Sequence, residues 1–152
     1  MLRPFLALLL FAAFGTCCAS DEISIDRVEA KLFYSHTGTL SPPIAPTFAL
    51  WNVIIGEGGA SEPSDATLID VVLKGTPGSY APDASVDLVV SNAESGRVIS
   101  RQSASVGVLS SAGEFHVAFW LAGTGCEPLA IEASLHGAKA ATRIEVPFAC
   151  GE

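Results

Sequence analysis

The chain has 152 residues, 49% of them hydrophobic, with 8 basic against 16 acidic side chains and a formal net charge of −8. That balance argues against nucleic acid and anionic lipid surfaces as partners, because both need a basic face. The length suits one domain with one core, and the 4 cysteines call for a decision about compartment.

Residues 1–20 read as a secretory signal peptide. Arg3 gives a positive start, Leu6–Phe14 is an apolar run, and the small residues Cys17, Cys18, Ala19 and Ser20 follow, so cleavage is expected near Ala19 or Ser20. The run falls short of the roughly 20 apolar residues a membrane helix needs. A lipoprotein anchored through Cys17 or Cys18 is the alternative, although Phe14-Gly15-Thr16 matches the usual lipidation pattern poorly. Residues 21–152 are then a single domain with a net charge of about −9, since cleavage removes only Arg3 among charged groups. Cys126 and Cys150 remain, and in an oxidising compartment an even pair is expected to form a disulfide. The bonded loop would hold about 25 residues.

The mature chain alternates with period two almost throughout and shows no helical period, which predicts strands. Ile23–Ser35 alternates but changes phase, and a bulge near Asp26-Arg27 reconciles the halves. His36–Pro46, with its prolines, is a loop or an extended edge segment. Thr47–Ile55 is apolar on both parities and predicts a central strand. Gly56–Ala66 is a loop. Thr67–Lys74 follows, with Ile69, Val71 and Leu73 on one face, and then the turn-rich Gly75–Pro82.

Ser85–Ser91 and Arg97–Ser103 form a hairpin around Asn92–Gly96. Ser105–Ala112 connects irregularly to a strand starting near Gly113, where Phe115, Val117, Phe119 and Leu121 alternate with Glu114, His116, Ala118 and Trp120. Leu129–Leu135 is next, and a turn at His136–Lys139 leads to a last strand with Ile144, Val146, Phe148 and Cys150 on one parity. Pro147 lacks an N–H and belongs at a sheet edge. About eight short strands predict an all-β antiparallel sandwich, immunoglobulin-like in the loose sense, with an eight-stranded barrel as the alternative.

The candidate chemistry is sparse. There is no nucleophile elbow, no phosphate loop and no zinc or calcium spacing, so no cofactor is expected. If the strands holding His116 and Leu129–Leu135 pair as a hairpin, His116, His136 and Glu132 become neighbours on one polar face, which would suit a metal-dependent hydrolase. Trp120 on the polar parity and Trp51 in the doubly apolar stretch are candidates for ligand binding, together with His116 and His136. The leading expectation is a secreted or periplasmic non-catalytic sandwich that binds a protein, glycan or other envelope component. A structural subunit that pairs through a sheet edge is the third reading.

Overall fold

The computed structural model describes residues 23–44, 53–55, 59–123 and 125–149. Among them are eight strands and no helix: β1 (Ser24–Tyr34), β2 (Thr39–Leu40), β3 (Ala66–Lys74), β4 (Ser85–Asn92), β5 (Val98–Ser105), β6 (Glu114–Ala122), β7 (Leu129–Leu135) and β8 (Ala141–Val146). They form two antiparallel four-stranded sheets, ordered β2-β1-β3-β6 and β5-β4-β7-β8. With β2 set aside, the rest can be lettered A, B, C, C′, E, F and G along the chain. The sheets then read A-B-E and C′-C-F-G, the order of immunoglobulin-type sandwiches.

The barrel alternative is overturned, since the sheets stay open. Between β5 and β6 there is no backbone ladder; the Gln102 side-chain amide donates to the Trp120 carbonyl across that gap at 3.0 Å.

Alternating side chains build the core. In β1 the inward Val28, Ala30, Leu32 and Tyr34 are buried, and Arg27, Glu29, Lys31 and Phe33 between them are half-buried. The phase change expected near Asp26-Arg27 is present as a register shift between Ile25 and Arg27, which turns the rest of the strand to the correct face. β3 is buried on both parities, as befits a strand with neighbours on either side. Its outward Val72 is inaccessible to solvent even though it faces away from the core, and it lies in register between Arg27 and His116. Phe148 and Ile131 are among the largest fully buried side chains, so the second sheet contributes to the same core.

Two expectations change. Most of the predicted strand Thr47–Ile55 lies outside the described residues, and its described part, Val53–Ile55, is a turn. One outer strand of the first sheet is β2, within the stretch expected as a loop or an extended edge segment, paired through Phe33↔Leu40 and Tyr34↔Thr39. The second correction concerns β6 and β7, which are not a hairpin. β6 pairs with β3 and β7 with β4 and β8, so the connection between them crosses from one sheet to the other. Six residues can close a hairpin or bridge two sheets equally well. The choice is made by β3, which offers β6 a largely buried partner strand from Ala66 to Leu73.

Candidate functional site

The outward face of the β2-β1-β3-β6 sheet carries two of the candidate side chains, His116 and Trp120. The register aligns Arg27, Val72 and His116 in one row, Glu29, Asp70 and Ala118 in the next, and Lys31, Leu68 and Trp120 in a third. Cross-strand neighbours on one face touch, and two groupings result.

The first is a charged lattice. Asp70 is only 8% exposed although it lies on the outer face. His116 Nδ1 approaches both of its carboxylate oxygens at 3.0 Å, and Lys31 Nζ lies 3.4 Å from Oδ2. Lys31 also meets Glu29 at 3.1 Å, and Glu29 accepts from Arg27 Nε at 2.8 Å. Arg27 in turn bonds Asp26 at 2.8 Å, and Lys74 reaches Asp26 at 3.2 Å. Exposed ion pairs are worth about 0–1 kcal/mol each, so the lattice fixes side-chain positions more than it stabilises the fold. Asp70 differs, because a carboxylate this covered needs its partners to be tolerated.

Within the lattice, the hydrogen bond from Arg27 and then that from Lys31 hold the Glu29 carboxyl below its ordinary value, with partial burial opposing them. Asp26 is lowered in the same sense by Arg27 and Lys74. Groups depressed in the folded state add stability above their unfolded pKa and lose it as pH falls through the folded value. The melting temperature is therefore expected to drop on acidification below about pH 4.5, the ordinary Glu value. Glu29→Gln should flatten that drop, and melting curves between pH 3 and 7 check it.

The second grouping is apolar. Trp120 is 47% exposed, and its ring meets Phe33 at a centroid distance of 4.9 Å and 67° between planes, an edge-to-face contact. Leu68, half-buried, lies directly opposite Trp120 and diagonal to Phe33, whose own partner on β3 is Ala66, and Leu40 on β2, opposite Phe33, extends the strip. Trp120 thus stands on the outward parity, as its place in the sequence predicted, with no proline-rich cover among the described residues.

The predicted trio does not assemble. His116 faces outward from the first sheet. Glu132 and His136 belong to the second, where Glu132 pairs in register with Arg143 and His136 Nδ1 meets Asp87 Oδ2 at 2.9 Å. The crossing between β6 and β7 puts them on opposite outer faces, so the hydrolase geometry built on a hairpin is withdrawn. Hydrogen bonds from His136 and then Ser103 lower the Asp87 carboxyl. Among the described residues no group of three His, Cys, Asp or Glu is placed to hold a metal ion. No helix there is long and apolar enough to cross a membrane.

Trp51 and Cys150 lie outside the described residues. Cys126 is disulfide-bonded. Asp70 and Phe33 were missed as site residues. Asp70 left a signal, a lone carboxylate inside the otherwise apolar run Thr67–Leu73. Phe33 left only its outward parity. No protein-family model matches the chain, and no curated protein matches it.

Proposed function

We propose that this protein is an exported, non-catalytic β-sandwich module that binds a protein or an envelope component on the outward face of the β2-β1-β3-β6 sheet. One observation carries the reading: Trp120 leaves 47% of its surface to solvent within a regular strand, with Phe33 set against it edge-on. A large ring held in one orientation contributes contact area at small entropic cost. Leu68 and Leu40 widen the apolar centre, and Lys31, Asp70 and His116 border it. An apolar centre with a polar rim is the anatomy of a recognition surface.

Export belongs to the same proposal. It rests on the signal-like residues 1–20 and on the bonded state of Cys126, which suits an oxidising compartment. We take Cys150 as the partner of Cys126. The acidic balance, −8 over the whole chain, keeps nucleic acid outside the proposal.

Trp120→Ala is expected to weaken binding by about 30-fold, the size of an aromatic anchor near 2 kcal/mol. Its melting temperature should fall by only a few degrees, because a partly exposed ring contributes little to the core. The check is retention of the wild-type and Trp120→Ala mature proteins on immobilised envelope glycan and envelope protein fractions, beside melting curves. Equal retention of the two, or reproducible turnover of a substrate by the purified protein, overturns the proposal.

A further inference from the structure

The strand β8 is the outer strand of the second sheet. The direction of its backbone groups follows from two bonds elsewhere in that sheet: His136 N–H donates to the Ser85 carbonyl, and Ala93 N–H to the Pro128 carbonyl. Antiparallel neighbours exchange bonds at alternate positions, so the even-numbered residues of β7 bond toward β4. Its odd-numbered residues bond toward β8, at Leu129↔Val146, Ile131↔Ile144 and Ala133↔Thr142. The N–H and C=O groups of Ala141, Arg143 and Glu145 therefore point away from the sheet. Among the described residues no backbone group outside the sheet meets them.

The other edges are guarded or lack a pairing code. β2 has two residues. On β6, Glu114 exchanges backbone and side-chain bonds with Ser110, and the Trp120 carbonyl is taken by Gln102. β5 is open, but Arg101 is its only charge. An open edge is a template for another strand unless something blocks it.

β8 carries a code of its own. Arg143 and Glu145 project outward two residues apart, 54% and 62% exposed, with Ile144 between them on the inner parity. Ile144 is only partly buried, packed against the rim of the core. We propose that β8 pairs with β8 of a second copy of this chain, antiparallel about a two-fold axis through Ile144. In that register Arg143 lies opposite Glu145 of the second copy, and Glu145 opposite its Arg143. These are the residues whose free backbone groups face the partner, so each pair exchanges two backbone bonds as well as a charge contact. Ile144 meets its symmetry mate and gains cover. The Ala141 N–H donates to the Pro147 carbonyl of the second copy, and the missing N–H of Pro147 ends the ladder there.

Shifting the axis to Arg143 or to Glu145 sets like charges face to face, so electrostatics disfavours those two registers. Among the registers the backbone allows, only the Ile144-centred one pairs both Arg143 and Glu145 with the opposite charge from β8. The symmetry is isologous and closes at two copies. The chain's net negative charge opposes any association of copies. At 0.15 M salt the screening length is about 8 Å, which weakens that whole-body repulsion more than pairs in contact. A single strand ladder is a small interface, so the dimer is weak and concentration-dependent.

The test is sedimentation velocity on the full mature chain at 0.15 M salt, from about 10 µM to about 1 mM. The wild type is expected to shift from monomer to dimer across that range. Arg143→Glu makes the edge doubly acidic and Glu145→Arg doubly basic; each alone should weaken self-association by about tenfold. The double variant R143E/E145R should recover it, and an equimolar mixture of the two single variants should form a mixed dimer. Circular dichroism of each variant establishes folding, and because both side chains are exposed, the fold should persist. A wild type monomeric at every concentration overturns the proposal. So does a dimer indifferent to the single charge reversals, or single reversals that weaken it with no recovery in the double variant or the mixture.

Discussion

Cys126→Ser is expected to lower the melting temperature of the mature protein by about 12 °C under oxidising conditions, without abolishing the fold. Cys126 is disulfide-bonded and lies in the connection that carries the chain from β6 to β7 across the sandwich. Cys126 and Pro128 line the same groove as Pro147, Phe148 and Ala149. That places the tail up to Ala149 beside it, and the next residue in the sequence, Cys150, is the partner we propose for it. A closed loop of about 25 residues is worth about 3 kcal/mol in the chain-entropy account, and a domain of this size moves by about 4 °C per kcal/mol. Folding survives because Phe148, 2% exposed, still anchors the tail by burial alone. Scanning calorimetry with and without reductant reads the effect, and reductant should bring the wild type down to the variant. Intact mass after alkylation of the native protein should show no free thiol. Two alkylatable cysteines, or an unchanged melting point, would defeat the pairing.

The same connection marks where sequence reasoning stopped. Parity is local, and it was legible. The facings of Ile69, Val71 and Leu73, of Phe115 to Leu121, and of Trp120 agree with the observed burial. The bulge after Ile25 was legible too, because a phase change in a strand has few other causes. Sheet membership is not local. Gly123–Pro128 could return β7 beside β6 or deliver it to the other sheet, and the two outcomes differ only in pairings with residues far along the chain. One wrong choice there was enough to bring His116, His136 and Glu132 together on paper.

The candidate face suffered from the same limit in the opposite direction. Trp120 could be placed outward, but its contact with Phe33 depends on β3 standing between β1 and β6, with Phe33 one diagonal step from Trp120 across it. Asp70 shows how a local rule can be outweighed. A carboxylate within Thr67–Leu73 breaks the apolar pattern, yet it is held by Lys31 from one neighbouring strand and His116 from the other. β2 is a case of its own: two residues are too few for any periodicity to reveal, and only the edge of β1 defines them.

Gly113→Ala is expected to be the most damaging of the glycine changes, at about 3 kcal/mol or more, against about 1–2 kcal/mol for Gly96→Ala or Gly137→Ala. All three residues have positive φ, of 74°, 70° and 79°, so each variant bears the left-handed backbone penalty of an L side chain. They differ in what the new methyl group meets. At Gly96 and Gly137 there is nothing within 4 Å. At Gly113 the methyl would run into the backbone carbonyl oxygen of Gly75, with Pro77 Cδ also close at 3.4 Å. That oxygen cannot rotate aside as a side chain would, because the Gly75 N–H donates to the Gly113 carbonyl at 3.0 Å and ties the two segments together. Relief requires breaking the bond and separating the turn after β3 from the start of β6. Since Gly113 immediately precedes Glu114, the disturbance enters the strand that carries His116 and Trp120. Denaturant melts of the three variants measure the order directly, and Gly113→Ala should also show altered tryptophan emission in its native baseline. Equal losses at Gly113 and Gly96 would mean that the two segments part freely and that the contact with Gly75 does not constrain the strand.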